Sequence, residues 1–149
     1  MHEPGEKTRS AKQIGQQQAF LDGDVLLLRL CGEYTPDEAR QVLTLADGLY
    51  REHGQVFILI DMTNMHTFGP ETRKVVASWK YLGVYSGAGF GLSLVLRAAG
   101  KLVMAAQRLI GTGPQFAGET FATEAEARAW LALERKKRST GQAPKNGND

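Results

Sequence analysis

A chain of 149 residues has the length of one ordinary domain, and its 42% apolar and 23% charged content is that of a globular protein with enough apolar side chains for a core. A single cysteine, Cys31, excludes an internal disulfide and a cysteine-based metal site, and no run of about eighteen apolar residues offers a membrane span. The net charge of +2 collects at the end of the chain: Glu134 to Asp149 carry five Lys/Arg against two Asp/Glu, or +3, which leaves −1 over residues 1–133 and no basic face for nucleic acid.

Residues 1–14 are polar and unpatterned and are expected to form a disordered leader; they contain no apolar signal segment, so the expected location is cytoplasmic. Gly15 to Leu21 offers a short first strand, and Asp22-Gly23-Asp24 turns the chain into Val25–Cys31, an apolar strand at whose end Cys31 is expected to be buried. Thr35-Pro36-Asp37-Glu38 then combines an N-cap threonine, proline at the first position and glutamate three residues after the cap, three signals that start one helix. Ala39, Val42, Leu43, Ala46, Leu49 and Tyr50 give it a buried stripe, and His53-Gly54 closes it.

Val56 to Ile60 is an unbroken apolar run, the pattern of a strand covered on both faces in the middle of a sheet. Loops at the carboxyl ends of such strands lie over the crevice where ligands and partners bind, which makes the segment that begins at Asp61 the main functional candidate. Gly69-Pro70 opens a second helix, expected to run to about Tyr85 with Val75, Val76, Trp79 and Leu82 inward. Ser86 to Gly91 is glycine-rich and expected to be a flexible connector; it precedes a strand instead of following one, the wrong order for a phosphate loop. Leu92–Leu96 is the next expected strand, Lys101–Ile110 a third helix, Gln115–Phe121 an edge strand, and Thr123-Glu124-Ala125-Glu126 a second capping box that opens a last helix reaching about Arg135. Arg135 to Arg138 is expected to be a solvated basic helix end, and residues 136–149 a disordered basic tail.

This order, with a hairpin-like start, a central strand ending in Asp61-Met62-Thr63 and a terminal TEAEARAWLALER segment (Thr123 to Arg135), resembles the STAS superfamily in its SpoIIAA-like branch, from about Gln18 to Arg135. The resemblance implies an α/β domain over residues 15–135, with a mostly parallel central sheet of about four to five strands flanked by about four helices. It also implies a regulatory binding module of the anti-sigma-factor-antagonist type. In those proteins the strand ends in Asp-Leu-Ser and a serine in Asp-Ser-Ser-Gly is phosphorylated at the start of the next helix. Here Asp61-Met62-Thr63 matches the first motif, while His66-Thr67-Phe68-Gly69 is a degenerate version of the second in which Gly69 stands for the family's glycine.

Three functions compete. In the first, a protein partner, an anti-sigma factor or kinase-like regulator, docks on the Asp61–Thr72 loop through Asp61, Thr63, Asn64, His66, Thr67, Gly69 and Thr72, with Thr63 and Thr67 as the candidate phosphoacceptors. In the second, a small apolar or lipid-like ligand sits among Phe68, Trp79, Tyr81, Tyr85, Phe90 and Met104, because SpoIIAA-like proteins also look like the CRAL-TRIO lipid carriers. In the third, Asp61 and His66 perform general base chemistry; no nucleophile elbow or carboxylate cluster completes that site, so no catalytic residue is assigned. Three scattered histidines give poor metal-ligand spacing, and neither metal nor cofactor is expected. Edge strands at Gly15–Leu21 and Gln115–Phe121 offer a route to homo-oligomers.

Overall fold

Thr35 starts the first helix for the reason its sequence suggests. In the computed structural model, which describes residues 10–93 and 116–139, the Thr35 hydroxyl accepts from the Glu38 amide at 3.2 Å and the Glu38 carboxylate accepts from the Thr35 amide at 2.9 Å. Helix α1 (Pro36–His53) ends where Gly54, at φ 75°, turns left-handed and donates to the Tyr50 carbonyl.

Six strands form one mixed sheet in sequence order. β1 (Ser10–Ile14), β2 (Gln17–Asp22) and β3 (Val25–Glu33) are joined antiparallel, and β3, β4 (Val56–Thr67), β5 (Tyr85–Phe90) and β6 (Phe116–Phe121) run parallel. Alternation then decides the layers. Leu26, Leu28 and Leu30 of β3 and Val56 and Ile58 of β4 face α1, whose Ala39, Val42, Ala46 and Leu49 complete the main core. α2 (Pro70–Ser78) lies beside α1 and adds Val75 to that core. Phe57 and Leu59 of β4 and Ala88 and Phe90 of β5 face the other way, under Ala127 and Leu131 of α3 (Glu124–Ser139). A second capping box starts α3: the Thr123 hydroxyl accepts from the Glu126 amide and the Glu126 carboxylate from the Thr123 amide, both at 3.2 Å.

The α/β class stands as expected, with six strands in place of four or five and three helices among the described residues. The expected helix at Lys101–Ile110, with Met104, lies outside the described residues. Several elements differ from their sequence reading. The expected leader gives way at Ser10, because Gly15 at φ 58° permits a hairpin that brings Ile14 into the core. Ser86 to Phe90 is the buried strand β5 and not a connector, held by ladders to both β4 and β6. Of the expected strand at Leu92–Leu96, Leu92 and Ser93 are non-strand and the rest lies outside the described residues. α2 stops at Ser78, since Trp79 turns extended and the Tyr81 hydroxyl donates to the Val76 carbonyl at 2.6 Å. Cys31 is exposed because strand alternation turns it away from the leucines that face α1.

The basic helix end is also more structured than expected. α3 continues to Ser139, and Arg135 pairs with Asp24 through two hydrogen bonds of 2.6 and 2.8 Å while its guanidinium sits 4.4 Å from the centre of the Phe57 ring. Arg138 lies over the same ring, donates to the Ser86 hydroxyl and pairs with buried Glu134. Burial lowers the Arg138 pKa, and the neighbouring Glu134 opposes that shift.

Candidate functional site

β4 is twelve residues long, and its two halves have different neighbours. It pairs with β5 only as far as Asp61, opposite Phe90; beyond that, among the described residues, its ladder is to β3 alone, with Asn64 opposite Cys31, Met65 opposite Gly32 and Thr67 opposite Glu33. The segment from Asp61 to Thr67 is therefore strand and not loop. Register shifts between Arg29 and Cys31 and between Gly32 and Glu33 put bulges in this half of the β3–β4 ladder.

Asp61 is half-buried, accepts from the Thr63 amide at 3.0 Å and lies 3.6 Å from the Arg29 guanidinium, which in turn covers the Phe20 ring. Thr63, Asn64, His66 and Thr67 are all exposed. Tyr34 holds the joint between β4 and α2: its amide donates to the Thr67 carbonyl at 3.0 Å, its carbonyl accepts from the Thr72 hydroxyl at 2.6 Å, and its ring meets Phe68 edge-on at 5.8 Å. Burial, then the nearby Glu38 charge, pushes the Tyr34 hydroxyl pKa up. Arg73 donates to the Phe68 carbonyl at 2.7 Å, and Gly69 caps α2 without any side-chain acceptor. Thr72 is 2% exposed, so it anchors this joint from inside and does not belong to the surface. Among the described residues no hydrogen bond joins Asp61 to His66.

The aromatic candidates are divided. The Trp79 indole nitrogen donates to both oxygens of Asp47 at 3.3 Å, the Tyr85 hydroxyl donates to the same carboxylate, and Tyr85 stacks on Tyr50 at 5.4 Å and meets Tyr81 edge-on at 4.9 Å. Burial raises the pKa of the Tyr81 and Tyr85 hydroxyls, helped by the Tyr85 hydroxyl at the first and by the bond to Asp47 at the second. Phe68 packs on Tyr34, Phe90 lies on the opposite face under α3, and Met104 is outside the described residues. Trp79 also lines an open groove of about 570 Å³ between α1 and α2, with Arg40, Asp47, Glu71, Lys74, Val75, Ser78 and Lys80. Sequence reasoning passed over Asp47 and Arg40. Their only signal is a seven-residue spacing that puts both on one side of α1.

A family model described as SpoIIAA-like matches residues 25–132, which runs from the start of β3 into α3 and includes Asp61 to Lys80. The chain belongs to the SpoIIAA-like family. The comparison with curated proteins finds no match. Membership supports a regulatory module of the anti-sigma-factor-antagonist type, a family generally regulatory in character. This SpoIIAA-like domain has no helix among its described residues long and apolar enough to cross a membrane, and no cluster there of three or more His, Cys, Asp or Glu side chains that could hold a metal ion.

Proposed function

We propose that this SpoIIAA-like chain is a non-enzymatic cytoplasmic module that docks a protein partner, of the anti-sigma or kinase-like type, on the exposed end of β4 and the start of α2. The observation that carries this reading is the extension of β4 beyond Asp61, where Thr63, Asn64, His66 and Thr67 are exposed on a bulged strand that stays paired to β3 and is clamped at Thr67 by Tyr34. A polar, exposed strand end that is already paired to a neighbour suits recognition, because less ordering entropy remains to be lost on binding. Asp61 is engaged by Arg29 and by the Thr63 amide, which supports a structural use for it over general base catalysis. A carrier would need one cavity from Phe68, Trp79, Tyr81, Tyr85 and Phe90, and the separation of Phe90 from the others favours the docking reading.

Phosphorylation of Thr63 would set new negative charge beside Asp61, and phosphorylation of Thr67 would set it ahead of the α2 N-terminus, which no side chain caps. Either would change the charge that the partner meets. The test is a photo-crosslinking side chain placed at His66 in the native host, with one at Lys12 of β1 as control. The reading expects a discrete polypeptide adduct at position 66 that is absent at 12; equal labelling at both, or none at 66, would refute it.

A further inference from the structure

The groove between α1 and α2 has a charge pattern that docking at β4 does not require. Arg40, Lys74 and Lys80 rim it and are exposed. Among the described residues neither lysine is ion-paired, although Glu71 lies one turn from Lys74, and Arg40 reaches only Asp37, at 3.8 Å across an exposed pair. Of the two lining acids, Glu71 is exposed and Asp47 is already committed: both Asp47 oxygens accept from Trp79, and one also accepts from Tyr85. Those bonds use up the indole N–H and fix the orientation of the half-buried Trp79 ring, which lines the groove with Val75. Two unpaired lysines and an arginine held only by an exposed pair, around a fixed aromatic ring, form the kind of surface in which an apolar anchor and its flanking charges are read together.

We propose that this groove receives an acidic segment of a protein partner, one apolar side chain seated against Trp79 and Val75 and its neighbouring carboxylates on Arg40, Lys74 and Lys80. The inference rests on the docking reading above, because α2 borders both surfaces, and it names the chemistry of what docks. A volume of about 570 Å³ takes a few side chains of such a segment. Opposite charge speeds their encounter, and the fixed ring limits what they must order on arrival.

The test selects random short peptides displayed on phage against the immobilised full chain. The expected binders carry Asp or Glu on both sides of a Leu, Phe or Trp, shift the tryptophan emission of the wild type but not of Trp79→Phe, and bind the double variant Lys74→Glu, Lys80→Glu roughly a hundredfold more weakly. Lys12→Glu, the same charge change on β1, leaves their binding unchanged. Binders without acidic residues, binders indifferent to the double reversal, or no binders at all would each overturn the proposal. Peptide failure alongside a retained His66 crosslink removes this inference alone; loss of the crosslink with peptide binding intact removes the β4 docking reading instead.

Discussion

Substituting Glu38 by alanine takes the acceptor from three donors at once: the amides of Thr35 at 2.9 Å and Gln16 at 3.0 Å, and the side-chain amide of Gln17 at 3.0 Å. Gln17 is wholly buried and also donates to the Cys31 and Glu33 carbonyls while accepting from the Cys31 amide, so these two side chains tie the β1–β2 hairpin to β3 and α1. Hydrogen bonds to a charged group contribute about 1.5–3 kcal/mol each, but water can replace the carboxylate at the two partly buried backbone amides, and removing a buried charge returns some desolvation energy. The expected net loss is about 3 kcal/mol, a fall in Tm of roughly 6–12 °C for a chain of this size. Urea denaturation at neutral pH measures it, and a loss below about 1 kcal/mol would refute the claim that this acid joins the elements. Burial pushes the Glu38 carboxyl up, yet the Thr35 and Gln16 amides and the Gln17 side chain outweigh it and hold the pKa below its ordinary value of 4.5. A depressed carboxylate pKa stabilises the fold above the unfolded value and ceases to do so as pH falls through the folded one. The gap between wild type and Glu38→Ala therefore narrows below about pH 4.5.

Arg135→Ala removes the paired bonds to Asp24 and the cation over Phe57; because the ion pair is partly exposed, the expected cost is about 1–2 kcal/mol by thermal denaturation. The bond to Arg135 leads the causes that hold Asp24 below its ordinary value of 3.8, so this cost is present at neutral pH and fades in acid below that value. Gly83→Ala puts a methyl group into the Tyr50 ring and disturbs its stack on Tyr85, with an expected loss of about 1–3 kcal/mol in urea and a changed near-ultraviolet circular dichroism. Gly48→Ala, in α1 with open space around the new carbon, should instead raise stability by about 0.5–1 kcal/mol.

The elements that sequence reading caught are those whose causes are local. The capping boxes at Thr35 and Thr123 are complete within four residues, and the β3 and α1 apolar patterns carry their own period. The missed elements depend on partners far along the chain. β5 has serine and glycine where strands favour branched side chains, and it is extended because β4 and β6 pair with it on both sides. The far end of β4 is polar because it leaves the covered part of the sheet, so its composition imitated a loop although β3 continues beside it. At the candidate site, Thr63, His66 and Thr67 are proposed from their place after an apolar strand, and all three are exposed. Thr72 has the same polar character but points inward to Tyr34, a direction that no spacing of polar residues announces. Asp47 was invisible for a similar reason: its donors, Trp79 and Tyr85, lie 32 and 38 residues away.

Native mass spectrometry of the full chain purified from its native host, beside a denaturing spectrum of the same sample, tests the docking claim most directly. The account predicts a second polypeptide in the native spectrum, lost in a Thr63→Arg variant, and a denatured mass equal to the chain alone or to the chain with phosphate added. A discrete small molecule released on denaturation, with no polypeptide bound and no effect of Thr63→Arg, would contradict it.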